Sequence, residues 1–127
     1  MFIILEIKSP IPMQKILVVD DDPDILAVTE LVLSRSGFSI ATEQNGGKTM
    51  EKIDAFEPDL VLLDVNLSPY DGRIICEDLK RKHTIPVILF SANINIKKDY
   101  QRCKADDFIG KPFEIDDLVN KIKSFLS

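Results

Sequence analysis

Four carboxylates, a hydroxyl and a lysine stand at the ends of apolar runs in this chain. Ile16-Leu17-Val18-Val19 ends in Asp20, Asp21 and Asp22, and Leu60-Val61-Leu62-Leu63 ends in Asp64. Val87-Ile88-Leu89-Phe90 ends in Ser91, and Phe108-Ile109 ends, after Gly110, in Lys111-Pro112. Adjacent carboxylates raise each other's pKa or recruit a cation. Magnesium takes a few carboxylates together with waters and phosphate oxygens, so Asp20 and Asp21 with Asp64 make a suitable three-carboxylate pocket. A carboxylate can also attack phosphorus and become an aspartyl phosphate. Attack needs the phosphoryl oxygens neutralised and held. Ser91 offers a hydroxyl donor for that purpose and Lys111 a mobile positive charge.

These groups work together only if the fold collects them. In a parallel α/β sheet, ligands bind in the crevice outside the carboxyl ends of the strands. Each of the polar residues follows a strand-like run, so one such sheet would bring them to one rim. The apolar period supports that architecture. Residues 15–20 form a continuous β-branched run, typical of a strand buried on both faces. Asp22 fits a helix N-cap with Pro23 in the first turn, followed by Ile25, Val28, Leu31 and Val32 at helical spacing, and Gly37 fits the stop. Residues 38–42 read as a second strand, Asn45-Gly46-Gly47 as a turn, and Met50, Ile53 and Phe56 as a second helix.

Residues 59–64 form the third strand. A loop through Ser68-Pro69 and Asp71-Gly72 leads to a third helix carrying Ile74, Ile75, Glu77 and Leu79. Pro86 opens the fourth strand. Residues 95–104 make a poor helix, 107–110 a fifth strand, and 114–126 a last helix that buries Ile115, Leu118, Val119, Ile122, Phe125 and Leu126. Alternation of this kind means a parallel sheet with helices on both sides.

Composition bounds the rest. The 127 residues suit one domain, and 45% hydrophobic with 29% charged residues supports a packed core under an ordinary surface. A net charge of −5 and no basic stripe argue against nucleic acid as a partner. Cys76 and Cys103 both fall in helical stretches, and without a secretory signal the expectation is reduced thiols in a cytoplasmic protein. The single His83 lies in a polar loop and receives no ligand role. Residues 1–13 read as an N-terminal extension: an apolar stretch too short to span a membrane, then the stiff Ser9-Pro10-Ile11-Pro12.

Taken together, the chain over residues 14–127 resembles the receiver domain of two-component response regulators, notably the small stand-alone type. The motifs that carry the resemblance are the Asp20-Asp21-Asp22 run, Pro58-Asp59 through Asp64, Asp71-Gly72, Pro86 through Ser91-Ala92, Ala105-Asp106-Asp107-Phe108 and Lys111-Pro112-Phe113. The resemblance implies a doubly wound, flavodoxin-like α/β fold, with a five-stranded parallel sheet of order 2-1-3-4-5. It implies Asp64 as phosphoacceptor. It also implies Mg2+ held by Asp21 directly, by Asp20 through water, by Asp64 and by the Asn66 carbonyl. Ser91 matches the hydroxyl that bonds a phosphoryl oxygen, Lys111 the lysine that pairs with it, Lys111-Pro112 the family's cis peptide, and Phe108 the aromatic switch. Asn66 and Asn93 occupy positions that tune loss of the phosphoryl group to water.

The implied donor is a phosphohistidine on a sensor histidine kinase or a histidine phosphotransfer protein, and the implied output face is the fourth helix, fifth strand and fifth helix. Such a domain is no enzyme in the ordinary sense, although it catalyses its own phosphorylation and dephosphorylation. The rival reading is a phosphorylation-independent interaction module. An aspartate-based phosphatase would need a second acidic motif and a cap, and an FMN carrier a Ser/Thr-rich phosphate loop.

The departures from the family pattern are local. Phe108 stands where Tyr is frequent, Ser68 where Pro is usual (Pro69 follows), and Lys104 where a glycine commonly ends the fourth helix. Lys takes a left-handed conformation there at some cost. The segment between Ser91 and Lys111 is about two residues shorter than usual, which predicts a short fourth helix.

Overall fold

A computed structural model describes residues 13–92 and 96–126. Of the N-terminal extension only Met13 falls within that range, and Asn93 lies outside it. Strands β1 (Lys15–Val19), β2 (Ser39–Glu43), β3 (Leu60–Asp64), β6 (Val87–Ser91) and β7 (Asp107–Gly110) form one sheet, ordered β2-β1-β3-β6-β7 and parallel throughout. The remaining strands, β4 (Asn66–Leu67) and β5 (Tyr70–Asp71), make a separate antiparallel ribbon. Without the ribbon the sheet order is the expected 2-1-3-4-5. The helices are α1 (Pro23–Arg35), α2 (Thr49–Phe56), α3 (Gly72–Lys82), α4 (Ile96–Arg102) and α5 (Ile115–Leu126), and a 3-10 turn (Gly46–Lys48) leads into α2.

Apart from Lys15, Asp64 and Ser91 at their ends, the central strands are apolar throughout because both faces of the sheet are covered. Alternate residues point to opposite faces. Leu17, Val19, Val61, Leu63, Val87 and Leu89 therefore meet Ile53 of α2 and Cys76 and Leu79 of α3. Ile16, Val18, Leu60, Leu62, Ile88 and Phe90 meet Leu26 and Leu33 of α1 and Leu118 and Ile122 of α5. Burial of a side chain of this size contributes about 1.5–3 kcal/mol.

Asp22 caps α1, accepting hydrogen bonds from the Asp24 amide at 2.9 Å and the Ile25 amide at 3.5 Å. The seven-residue α4 ends through Lys104 at φ +66°, the left-handed geometry anticipated where glycine is absent. The Lys111-Pro112 peptide is cis, and so is Ser68-Pro69.

Several expectations need correction. The strands are displaced by a residue or so: β1 ends at Val19, β2 runs Ser39–Glu43 and β3 begins at Leu60, because pairing rather than apolarity sets their ends. On α1, Val28 and Leu31 are more than half exposed, and Leu26, Thr29 and Leu33 face the core instead. Two stripes one residue apart were available on that helix, and contact with the sheet selected the less apolar one. Ile115 and Ile74 are likewise exposed, each on the solvent side of the first turn of its helix. The β4–β5 ribbon has no period to betray it, being two residues per strand.

The start of α3 is packed directly on the end of β3. A β-carbon on Gly72 would lie 2.0 Å from the Asp64 carbonyl oxygen and 2.8 Å from the Val65 α-carbon, both backbone atoms. Gly72→Ala is expected to destabilise the fold by about 3 kcal/mol, the upper end for overpacking. Gly110→Ala, where a β-carbon meets nothing within 4 Å, is expected to stay within about 0.5 kcal/mol of the parent. Urea denaturation of the two variants beside the parent measures both, and equal losses would contradict the packing assigned to Gly72.

Candidate functional site

The register of the sheet builds the site. Val19 pairs with Leu63, so Asp20 and Asp64, each one residue further on, emerge side by side at the same rim. Asp64 pairs with Phe90, which sets Ser91 beyond it on the neighbouring strand. Ser91 pairs with Gly110, and the Lys111 amide donates to the Ser91 carbonyl at 2.9 Å. That last bond delivers the Lys111 side chain to the carboxylates.

Lys111 Nζ lies 2.6 Å from Asp20 Oδ2 and 3.4 Å from Asp64 Oδ2, and 4.6 Å from the centre of the Phe90 ring. Asp20 is fully buried and also accepts from the Asp22 amide at 2.9 Å. Asp64 and Ser91 are each only 4% exposed. Asp21 is solvent-exposed, so of the acid pair one member is held inside and the other stands open. One carboxylate oxygen from each of Asp20, Asp21 and Asp64 lies within 4.8 Å of the others.

These groups floor an open cavity of about 610 Å³, walled by Asn66, Tyr70 and Arg73 among others. Asn66 is exposed at the start of β4, and its amide bonds the Asp64 carboxylate.

Burial pushes the Asp64 carboxyl up from 3.8 to about 6, with the charge of Asp20 adding to the rise; Lys111 and the Asn66 amide oppose it. Three carboxylates face one ammonium, so the rim carries negative charge that its own residues leave uncompensated. The donor set is oxygen only and small in number, which suits Mg2+, an ion that keeps waters and phosphate oxygens in its shell. The residues present therefore fit the ion that the resemblance implies.

Two residues of the wall escaped the sequence reading. Arg73 is held by Asp71 through its amide and Nε at 2.9 Å each and its Nη2 at 2.7 Å. The Arg73 hydrogen bond holds the Asp71 carboxyl below the usual carboxylate range. Tyr70 lies over the turn before α2, close enough that a β-carbon on Gly47 would meet its ring at 2.7 Å. The one available signal was the Asp-x-Arg spacing at the start of α3.

Phe108, the expected switch residue, lies away from the cavity. It is half-buried with its ring centre 4.8 Å from that of Tyr100, and Lys121 Nζ stands 5.7 Å from it.

Comparison with known proteins agrees with the architecture. The family model for the response regulator receiver domain matches residues 16–123, and the chain belongs to that family. The receiver domain of NtrX from Brucella abortus is 34% identical, with 87% of this chain and 97% of that one covered and a TM-score of 0.81. A CheY-like response regulator receiver domain protein from Methanospirillum hungatei is 29% identical over 91% of this chain and 94% of its own, with a TM-score of 0.83. The BeF3-activated receiver domain of RstA from Klebsiella pneumoniae is 28% identical over 89% and 98%, with a TM-score of 0.84. The chain is thus a signalling domain of two-component systems. Among the described residues no helix is long and apolar enough to cross a membrane.

The raised Asp64 value makes a stability prediction for metal-free protein. A carboxyl whose value rises on folding penalises the folded state above that value. The penalty is relieved as pH falls from about 6 towards 3.8, because the folded chain takes up the proton first. In EDTA, Asp64→Asn is therefore expected to be more stable than the parent at pH 7.5, by roughly 1–3 kcal/mol. The difference should close as the pH approaches 4, and added magnesium should narrow it at pH 7.5. Urea midpoints across that range decide it; a difference independent of pH would contradict the assigned burial of charge.

Proposed function

We propose that this domain accepts a phosphoryl group on Asp64 from a phosphohistidine of a sensor kinase or phosphotransfer protein in the cytoplasm. One observation carries the reading: the Asp64 carboxylate stands at the floor of an open cavity, 3.4 Å from Lys111 and grouped with Asp20 and Asp21.

In this mechanism an Asp64 oxygen attacks phosphorus, the phosphorus–nitrogen bond breaks, and the histidine leaves. Burial raises the nucleophile's energy in its charged form, which the Asn66 amide and Lys111 partly offset. Lys111 is held by Asp20 at 2.6 Å in the resting site, so its ammonium is already oriented and need only shift to meet an arriving phosphoryl oxygen. The Ser91 hydroxyl bonds a second phosphoryl oxygen. Asp21, Asp64 and the Asn66 carbonyl would hold Mg2+, with Asp20 acting through water, and the bound ion would supply neutralisation of the phosphoryl charge.

Output follows from the same strands. Ser91 ends β6, and Phe108 lies on β7 beside it, packed against Tyr100 of α4. Movement of Ser91 towards the phosphoryl group opens space that Phe108 follows inward, and the surface formed by α4, β7 and α5 changes shape for a protein partner.

Acetyl phosphate with Mg2+ is expected to add one phosphoryl mass to the parent and none to Asp64→Asn, and beryllofluoride to bind the parent alone. Magnesium removal should abolish both. Equal behaviour of parent and variant would favour an interaction module that works without phosphorylation.

A further inference from the structure

Tyr70 stands in the wall of the acceptor cavity, on a ribbon that the mechanism leaves unused. It pairs with Leu67 across β4 and β5. Leu67 is 1% exposed and packs into the core on one face of the sheet, whereas Tyr70 stays 47% exposed. The ribbon is therefore anchored beneath while its aromatic ring remains open to solvent. The turn before α2 sets where that ring lies. A β-carbon on Gly47 would come within 2.7 Å of the Tyr70 Cζ and hydroxyl oxygen and 3.0 Å of Cε2, so the ring occupies space that only a glycine leaves open. The Gly47 amide donates to Asn45 Oδ1 at 2.8 Å, which fixes the turn.

Among the described residues that line the acceptor cavity, Tyr70 supplies the one aromatic ring. The same wall carries five aspartates against Arg73 and Lys111. A second cavity of about 570 Å³, lined by Glu43, Gln44 and Asn45, shares Asp21, Ser68, Pro69 and Tyr70 with the first. Tyr70 thus belongs to the junction of two acidic cavities. Such a setting suits a planar cation better than an anionic group. A cation over an aromatic face is attracted by the ring quadrupole. Two aromatic rings in offset or edge-to-face contact gain further.

We propose that Tyr70 selects the phosphodonor: its ring receives the imidazole of a phosphohistidine while the phosphoryl group reaches Asp64, and Gly47 is the positioning residue that keeps the ring in place. This inference rests on the reading of Asp64 as phosphoacceptor. The imidazole enters protonated on the nitrogen that does not carry phosphorus. An Asp64 oxygen bonds phosphorus, the phosphorus–nitrogen bond breaks, and its electron pair stays on nitrogen. The ring leaves as neutral imidazole, with no further proton needed. Acetyl phosphate brings no ring and leaves as an anion, so Tyr70 gives it no help.

The full chain with Mg2+ is treated with N-phosphoimidazole and, separately, with acetyl phosphate, and the phosphorylated fraction is followed by intact mass. Tyr70→Ala is expected to lower the second-order rate constant for phosphoimidazole about fivefold and to leave that for acetyl phosphate within about twofold of the parent. Tyr70→Phe keeps the ring and should keep the parent's preference. Gly47→Ala puts a methyl where the ring lies, so it should match Tyr70→Ala towards both donors. The double variant should be no slower with phosphoimidazole than either single one, because both act through one ring.

A parent that gains phosphoryl mass from neither donor would end the acceptor reading and this inference with it. A parent phosphorylated by both, with Tyr70→Ala slowed equally for both donors or for neither, would overturn the inference alone. So would a Tyr70→Phe protein as slow with phosphoimidazole as Tyr70→Ala. If Tyr70→Ala fails to fold, Gly47→Ala displaces the same ring from the other side and decides by the same two rates.

Discussion

The contact between Lys111 and the two buried carboxylates is the constraint around which the rest is arranged. Asp20 has no exposure at all and Asp64 almost none. An unpaired charge in such a place is costly, so carboxylates that stay ionised there require a cation at hydrogen-bond distance. Lys111 meets that need, but it comes from the opposite side of the sheet's centre, two strands from Asp64. Its reach depends on β6 and β7 staying in register, with Ser91 opposite Gly110, and on the bond from the Lys111 amide to the Ser91 carbonyl. A slip of one residue in β7 would turn Lys111 to the other face. The apolar layers fix the register, and the register fixes the charges.

The same arrangement leaves the site under tension that a ligand can relieve. One ammonium cannot neutralise three carboxylates, and burial, with the charge of Asp20 added, pushes the Asp64 carboxyl up to about 6. Its neighbour Asp20 takes the shorter lysine contact, 2.6 Å against 3.4 Å. Asp64 is consequently the carboxylate less engaged by the lysine, which suits the nucleophilic role proposed for it, and Asp20 is the lysine's closer partner. Asp21, exposed one residue later, is free to meet a cation from solvent without leaving the backbone position that β1 gives it.

Much of this was legible in the sequence because one rule governs both fold and site. A parallel sheet covered on both faces writes its strands as unbroken apolar runs, so the first polar residue after each run is a rim residue. Asp20, Asp21, Asp64 and Ser91 were found that way, and Lys111 just past Gly110. Where the rule does not apply, reading failed. The β4–β5 ribbon is too short for any period. The buried stripe of α1 passes through Thr29 rather than Val28, since a helix with two partly apolar faces is oriented by the sheet and not by its own composition. Arg73 was missed because its place at the cavity wall comes from the close approach of Gly72 to the end of β3, which no local pattern encodes. Which carboxylate Lys111 approaches more closely is likewise a matter of angstroms, set by register and invisible in residue order.

The short α4 shows how a departure in sequence becomes a property of the fold. With glycine absent, Lys104 adopts φ +66°, at a cost of roughly 1–2 kcal/mol for a residue with a β-carbon. The turn persists because its surroundings determine it from both sides. The Ala105 amide bonds back to the Tyr100 carbonyl at 2.9 Å, and the Asp106 amide bonds the Val87 carbonyl at 2.8 Å. The Asp106 carboxylate also accepts from the Val87 amide at 2.8 Å and from Lys80 at 2.7 Å, fastening the end of α4 to β6 and α3 together. Helix α4 is thus held firmly at its C-terminal end. A helix held at one end pivots rather than slides. Any change reaching it through Tyr100 and Phe108 should therefore appear as a tilt about the Cys103–Asp106 turn, with the largest displacement at Ile96.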